Sequence, residues 1–136
     1  MGEIMDKIMA LDVGTKRIGV ALSDYLHILA NGLCCVPREP EDIAVAEIKK
    51  LAKDNDVKKI VVGVPKNMDG TEGAQAEDCK NFSQNFQEFE VVLEDERLTS
   101  DLAEERLREK KIDFRKDKSL VDIESACIIL EQHLGR

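Results

Sequence analysis

The chain has 136 residues, the size of one ordinary domain, so we expect a single domain over residues 1–136. Its formal net charge of −8 argues against a protein that coats nucleic acid or sits on anionic lipid. Hydrophobic residues make up 43% and charged residues 35%, which favours a folded core, and no apolar run approaches the roughly 18 residues needed to span a bilayer.

The first third of the chain is typical of three strands. Apolar runs over Lys7–Val13, Arg17–Ser23 and 28–36 are separated by short turns. Strands joined by such short connections pair in an antiparallel manner. Gly14 and Gly19 flank the first turn, and we expect them to serve the backbone geometry of a tight hairpin. The alternative is that they let a phosphate approach the backbone.

From Glu41 onward the pattern alternates between helices and strands. Four stretches have apolar residues at helical spacing: Glu41–Asp54, 72–86, one that begins at Thr99 or Ser100, and one that begins at Asp117 or Ser119. Two continuous apolar runs, 59–64 and 90–93, are predicted to be buried strands. Strands that alternate with helices form parallel pairs covered by those helices. The order βββαβαβαα therefore predicts an α/β fold with a mixed sheet.

Acidic residues stand where three of these elements begin or end. Asp12 lies at the end of the first strand, Asp95 and Glu96 follow the run at 90–93, and Asp122 lies one turn into the last helix. Taken alone, each is explained most simply as a solvated or capping residue. Ligands collect beyond the carboxyl ends of parallel strands, and carboxylates near buried surface need a partner such as a cation. Three carboxylates there would suit Mg²⁺ or Mn²⁺, which can promote phosphodiester cleavage.

Four segments of the chain resemble the signature blocks of the YqgF/RuvX family. They read ALDVGTKRIGVALSD (10–24), VVGVPKNMDGTEG (61–73), EDERLTS (94–100) and VDIESACIILEQHL (121–134). Proteins of this family are described as candidate pre-16S rRNA nucleases and as Holliday-junction-resolvase-like. The resemblance implies an RNase H-like fold, with a five-stranded mixed sheet of order 3-2-1-4-5 and helices on both faces.

The resemblance also implies roles for individual residues. It makes Asp12, Glu96 and Asp122 the catalytic residues and the ligands of the metal, and it selects Glu96 rather than the adjacent Asp95. Arg17 and Arg97 match the arginines of the first and third blocks. In the last block Ser125 stands where the family usually has alanine, a small residue in either case.

Several cations are candidates for binding substrate phosphates. Arg17 either contacts phosphate or pairs with a site carboxylate, and we place Arg97 in the same class. Lys66 stands in a glycine-rich loop that is either an ordinary connection or a phosphate cradle. Residues 106–118 carry seven Lys or Arg against three Asp or Glu. That segment, with Lys110 and Lys111, either is a solvated helix end or guides a polynucleotide toward the site.

The leading hypothesis is a metal-dependent endonuclease that acts on structured RNA, and the resemblance implies maturation of the 16S rRNA 5′ region. One alternative is the same chemistry on branched DNA, and another is a ribosome-assembly factor that binds nucleic acid without cleaving it. An actin-like phosphate-binding module is disfavoured because it needs two such halves. The four cysteines form no CxxC pair, and the acidic N-terminus is wrong for a secretory signal, so we expect reduced thiols and a cytoplasmic protein.

Overall fold

In the computed structural model, which describes residues 5–96 and 99–135, a five-stranded sheet lies between helices. The strands are β1 (Lys7–Val13), β2 (Arg17–Ser23), β3 (Ala30–Pro37), β4 (Val57–Pro65) and β5 (Glu90–Glu96), and the helices are α1 (Glu41–Asp54), α2 (Ala74–Ser83), α3 (Thr99–Glu109) and α4 (Ser119–Leu134). The strand order is β3-β2-β1-β4-β5, antiparallel from β3 to β1 and parallel from β1 to β5. The predicted α/β class and strand order are confirmed.

The central strand β1 faces two cores, because successive residues of a strand point to opposite sides. Met9 and Leu11 pack with α1 and α2 on one side, whereas Ile8 and Ala10 pack under α4 on the other. Helix α3 then packs on the outside of α4. Helices therefore cover both faces, as predicted, and α4 is held between the sheet and α3.

Glycines let α4 approach the sheet closely. A Cβ atom on Gly19 would lie 2.0 Å from the backbone oxygen of Asp122, and one on Gly32 would lie 2.4 Å from Cγ2 of Ile123. The prediction that Gly19 serves the hairpin turn is therefore wrong: it lies inside β2 and makes room for α4. Gly14 does lie in the turn, where its N–H donates to the carbonyl of Arg17.

Several element boundaries differ from the predicted ones. The third strand starts at Ala30 rather than 28, because Oδ1 of Asp24 accepts the N–H groups of Ile28 and Leu29 and closes a turn there. The helix predicted over 72–86 is shorter, and a 3-10 turn follows it. The fourth and fifth strands are both longer than predicted, and β5 stays paired with β4 as far as Glu96.

Within the described ranges no helix is both long enough and apolar enough to cross a membrane. The four cysteines are free thiols, and Cys34 and Cys35 face opposite sides of the sheet. Cys34 packs against the core under α1, while the Sγ of Cys35 donates a weak hydrogen bond to the carbonyl of Ser119.

Candidate active site

A cleft opens at the carboxyl ends of the parallel strands. It consists of two adjoining depressions of about 200 and 270 Å³, both of which are lined by Asp12, Glu96 and Ser100. Asp122 lines the larger depression, and Lys66 lines the smaller one. The fold thus brings the three acidic residues from β1, β5 and α4 to one place.

Asp12 is the next-to-last residue of the central strand. Its carboxylate has no hydrogen bond or ion pair with any residue in the described part of the chain. Burial raises the pKa of Asp12 to about 8, and the nearby carboxylates of Glu96 and Asp122 add to the rise. A cation bound beside Asp12 would favour the ionised form and so relieve this cost.

Glu96 ends β5 and is only 8% exposed. A Cβ atom on Gly63 would lie 3.1 Å from its Oε1, so the missing side chain on β4 makes room for the glutamate. Burial raises the pKa of Glu96. Within 5–96 and 99–135, neither the buried Oε2 of Glu96 nor Oγ1 of Thr99 has a hydrogen-bond partner. Leaving such an oxygen unsatisfied is costly, and a bound cation would satisfy it.

The neighbouring acid, Asp95, points away from the cleft. Its side chain is 72% exposed, and its Oδ1 lies 3.6 Å from Nζ of Lys66. Adjacent residues of a strand face opposite sides, so only one of the two can line the cleft. The structure places Glu96 there.

Asp122 lies in the first turn of α4 and is paired with Arg17 at the start of β2. The Nε of Arg17 donates to Oδ2 of Asp122 at 2.6 Å. Of the two roles predicted for Arg17, the structure shows the pair with a site carboxylate.

The cleft offers carboxylate oxygens as donors, the ligand type that Mg²⁺ and Mn²⁺ prefer. Among the described residues no three acidic, His or Cys side chains are grouped closely enough to hold a metal ion. The ion pair with Arg17 engages Asp122, whereas Asp12 and Glu96 carry raised pKa values. The carboxylate donors and the unpartnered Oε2 of Glu96 fit a hard dication in their chemistry, and binding one would require the three side chains to draw closer together.

The other predicted substrate-binding cations lie in different environments. Lys66 is largely neutralised, because its Nζ lies 2.8 Å from Oε2 of Glu72. Lys110 pairs with Glu124 at 3.1 Å. Lys111 forms no ion pair with a residue that the structure describes. Arg97 lies outside the described residues.

Sequence reasoning missed residues that support the cleft. Arg38 is buried, and its Nη1 donates to the carbonyl of Gly14 at 3.1 Å, while both of its terminal nitrogens bond Asp78. Gln75 donates to the carbonyl of Val13 at 3.1 Å. These contacts fix the turn that follows Asp12. They join residues far apart in sequence, so no local pattern could have indicated them.

Relatives of the chain are found along nearly its whole length. Two proteins of Bacillus cereus, strains AH187 and Q1, are named as candidate pre-16S rRNA nucleases. Each is 41% identical over 135 residues, which cover 96% of this chain and 98% of the relative. A protein of the same name from Bacillus anthracis strain A0248 is 41% identical over 133 residues, covering 94% of this chain and 97% of its own.

Two solved structures share the fold at low sequence identity. The Fowlpox virus resolvase, in complex with its substrate Holliday junction DNA, is 10% identical with a TM-score of 0.57, covering 95% of this chain and 97% of its own. The RuvC of T. thermophilus, in complex with a Holliday junction substrate, is 11% identical with a TM-score of 0.52, covering 96% of each chain. These similarities confirm the RNase H-like fold.

The sequence profile of the RuvX family, described as Holliday junction resolvase, matches residues 6–136. This match and the curated relatives confirm the resemblance carried by the four sequence blocks. The chain therefore belongs to the RuvX family.

Proposed function

We propose that this chain is a cytoplasmic endonuclease that hydrolyses phosphodiester bonds in structured RNA with the help of Mg²⁺ or Mn²⁺. The observation that carries the proposal is that Asp12 and the buried Glu96 line the same cleft, where burial raises the pKa of each carboxyl. Buried carboxyl groups with raised pKa values are typical of functional sites.

Asp12, Glu96 and Asp122 are the residues that would hold the metal. A pair of such ions activates water and stabilises the leaving oxygen in phosphodiester hydrolysis. Two of the ligands stand on strands and the third on a buried helix, so the backbone positions them before substrate arrives. Asp12 would release its proton as the cation binds, since the charged form then gains a partner, and the same partner would lower the raised pKa of Glu96.

Cations in the cleft and beyond it would bind the substrate backbone. Arg17 is paired with Asp122, which lines the cleft, and can exchange this carboxylate partner for a phosphate. Lys66, Lys110, Lys111 and Arg97 are the further contacts proposed from the sequence. Of these three described lysines Lys111 is the most available to a phosphate, because the side chains of Lys66 and Lys110 already face acidic partners.

Precursor 16S rRNA is the substrate that the names of the curated relatives support. A second candidate is a branched DNA junction, which the family description favours. A third is an assembly factor that binds RNA without cleaving it.

The experiment incubates purified protein with labelled pre-16S rRNA leader, a matched RNA duplex and a four-way DNA junction, in Mn²⁺, in Mg²⁺ and in EDTA. Wild type is compared with Glu96→Gln and with Asp95→Asn, whose carboxylate is adjacent but exposed. We expect metal-dependent cleavage of the leader by wild type and Asp95→Asn and none by Glu96→Gln. Cleavage of the junction alone would support the second candidate, and binding without any cleavage would support the third.

A further inference from the structure

A cavity of about 430 Å³ lies away from the cleft, at the carboxyl end of α3. It is lined by Arg108, Lys111, Ile112, Asp113, Phe114 and Arg115. Its volume falls within the range of roughly 300–1,000 Å³ that is usual for small-molecule sites. Apart from the backbone contact proposed for Lys111, the proposed nuclease function makes no use of this cavity.

Its apolar wall is formed by Ile112 and Phe114. Ile112 is an exposed aliphatic side chain, and Phe114 rests on the small cluster that joins α3 to α4. The guanidinium carbon of Arg108 lies 5.4 Å from the centre of the Phe114 ring, and the Arg108 side chain is 64% exposed. An aromatic ring beside an exposed guanidinium can pack against the flat face of a nucleobase.

The charge of the cavity is positive although the chain as a whole is acidic. Three of its lining residues are cations and one is an anion. Asp113 is bound by Arg115 through both of its oxygens, and Arg108 reaches Glu104 on its own helix at 3.2 Å. The ammonium of Lys111 is left without an acidic partner in the described part of the chain. A ligand with a flat apolar body and a negative charge matches such a lining.

We propose that this cavity binds one unpaired nucleotide of the substrate strand, with its base against Phe114 and Arg108 and its phosphate at Lys111. The inference rests on the proposed function, which supplies the strand. The base must be unpaired, because a duplex covers both faces of its bases. Ser100 in the cleft and Arg108 at the cavity are eight residues apart on α3, about 12 Å along the helix. A duplex strand rises about 3.4 Å per nucleotide and an unpaired strand can extend further, so about four nucleotides or fewer span the distance from the cleft to the cavity.

The test uses the fact that the chain contains no tryptophan. Phe114→Trp places a single indole in the cavity, and Tyr25→Trp places one at an exposed site at the opposite end of the sheet. Each variant is titrated in EDTA with a single-stranded RNA of ten nucleotides, with the matched duplex and with a free mononucleotide.

We expect saturable quenching of Phe114→Trp by the single strand, weaker quenching by the duplex and none in Tyr25→Trp. Equal quenching by strand and duplex, quenching by the mononucleotide alone, or no quenching would overturn the proposal.

A second pair of variants distinguishes stacking of a base on the Phe114 ring from packing of the Phe114 side chain against the α3–α4 cluster. Phe114→Leu keeps an apolar side chain on the α3–α4 cluster but removes the ring, whereas Phe114→Tyr keeps the ring. We expect Phe114→Leu to bind the single strand about tenfold more weakly, equal to about 1.4 kcal/mol. Phe114→Tyr should bind like wild type, and wild-type binding by Phe114→Leu would overturn the proposal.

The outcomes also distinguish this proposal from the proposed function. Binding is measured without metal. Quenching in a protein that never cleaves RNA would therefore support the nucleotide site in the cavity and contradict the proposed nuclease function. The opposite outcome is cleavage by wild type, with no quenching in Phe114→Trp and wild-type binding by Phe114→Leu. It would support the nuclease function and contradict the nucleotide site in the cavity.

Discussion

Arg17 and Asp122 lie 105 residues apart in the sequence and are joined in the structure by a 2.6 Å hydrogen bond between Nε and Oδ2. The pair ties the start of β2 to the first turn of α4. It also holds the guanidinium of Arg17 against a carboxylate that we propose as a metal ligand. A bound cation and Arg17 would therefore compete for the carboxylate of Asp122.

Removing this competitor should strengthen metal binding. In Arg17→Gln we expect the affinity of the apo protein for Mn²⁺ to rise about three- to tenfold, because Asp122 loses a cationic partner. Calorimetric titration with Mn²⁺ measures this, with Arg17→Lys as the charge-conserving control. Weaker Mn²⁺ binding in Arg17→Gln would instead mean that Arg17 holds Asp122 in the orientation that the metal needs.

The raised pKa of Asp12 predicts how the stability of the metal-free protein depends on pH. The folded state keeps a proton on Asp12 up to about pH 8, whereas the unfolded chain releases it near pH 4. Stability contributed by this group is therefore complete below about pH 4 and is lost as the pH rises toward 8. Asn cannot ionise, so Asp12→Asn should be about 1–3 kcal/mol more stable than wild type at pH 8 and nearly equal to it at pH 4.

Urea unfolding in EDTA at the two pH values checks this prediction. Asp95→Asn serves as the control, because it removes a neighbouring carboxylate that is exposed rather than buried. A loss of stability in Asp12→Asn at pH 8 would assign Asp12 a structural role instead.

Because α4 approaches β2 closely at Gly19, a single methyl group added at this position should strongly lower the free energy of unfolding. Gly19→Ala would place Cβ 2.0 Å from the backbone oxygen of Asp122, so α4 must move or the strand must bend. We expect a loss of about 2–3 kcal/mol in the free energy of unfolding, together with weaker Mn²⁺ binding.

Gly73→Ser is the matched control for that substitution. A Cβ atom at position 73 meets no described atom within 4 Å, and serine suits the N-cap of α2 that Gly73 occupies. Chemical denaturation of both variants should show the loss in Gly19→Ala alone. An unchanged free energy of unfolding in Gly19→Ala would contradict the packing described for α4.

The mixed sheet and the candidate acids could be predicted from the residue pattern, and the strand order from the family resemblance, but the surroundings of the acids could not. Asp12 stands out because it interrupts an apolar strand, and the resemblance chose Glu96 over the adjacent Asp95. The extension of β5 to Glu96 was not predictable, since the polar residues after Leu93 become a strand only by pairing with β4. The role of Gly19 likewise depends on a helix about 100 residues later.

The ion pairs of the basic segment predict which lysine matters most for binding. Lys111→Ala should weaken RNA binding and lower the salt slope of log K by roughly 0.7–0.9, since it removes about one phosphate contact. Lys50→Ala is the control, because Lys50 is an exposed lysine on α1, across the sheet from α4. Filter binding over a range of salt concentrations measures both slopes. Equal slopes for Lys111→Ala and wild type would show that this segment is only a solvated surface.

The most direct test of the account is Mn²⁺ binding by wild type, Asp12→Asn and Glu96→Gln, followed as the shift in melting temperature between EDTA and excess Mn²⁺. We expect a clear rise for wild type and for the control Asp95→Asn, because a ligand that binds only the folded state stabilises it. Asp12→Asn and Glu96→Gln should lose most of the rise, since each removes a charged ligand of the proposed site. A wild-type shift in both of these variants would contradict the claim that Asp12 and Glu96 form the metal site of a nuclease.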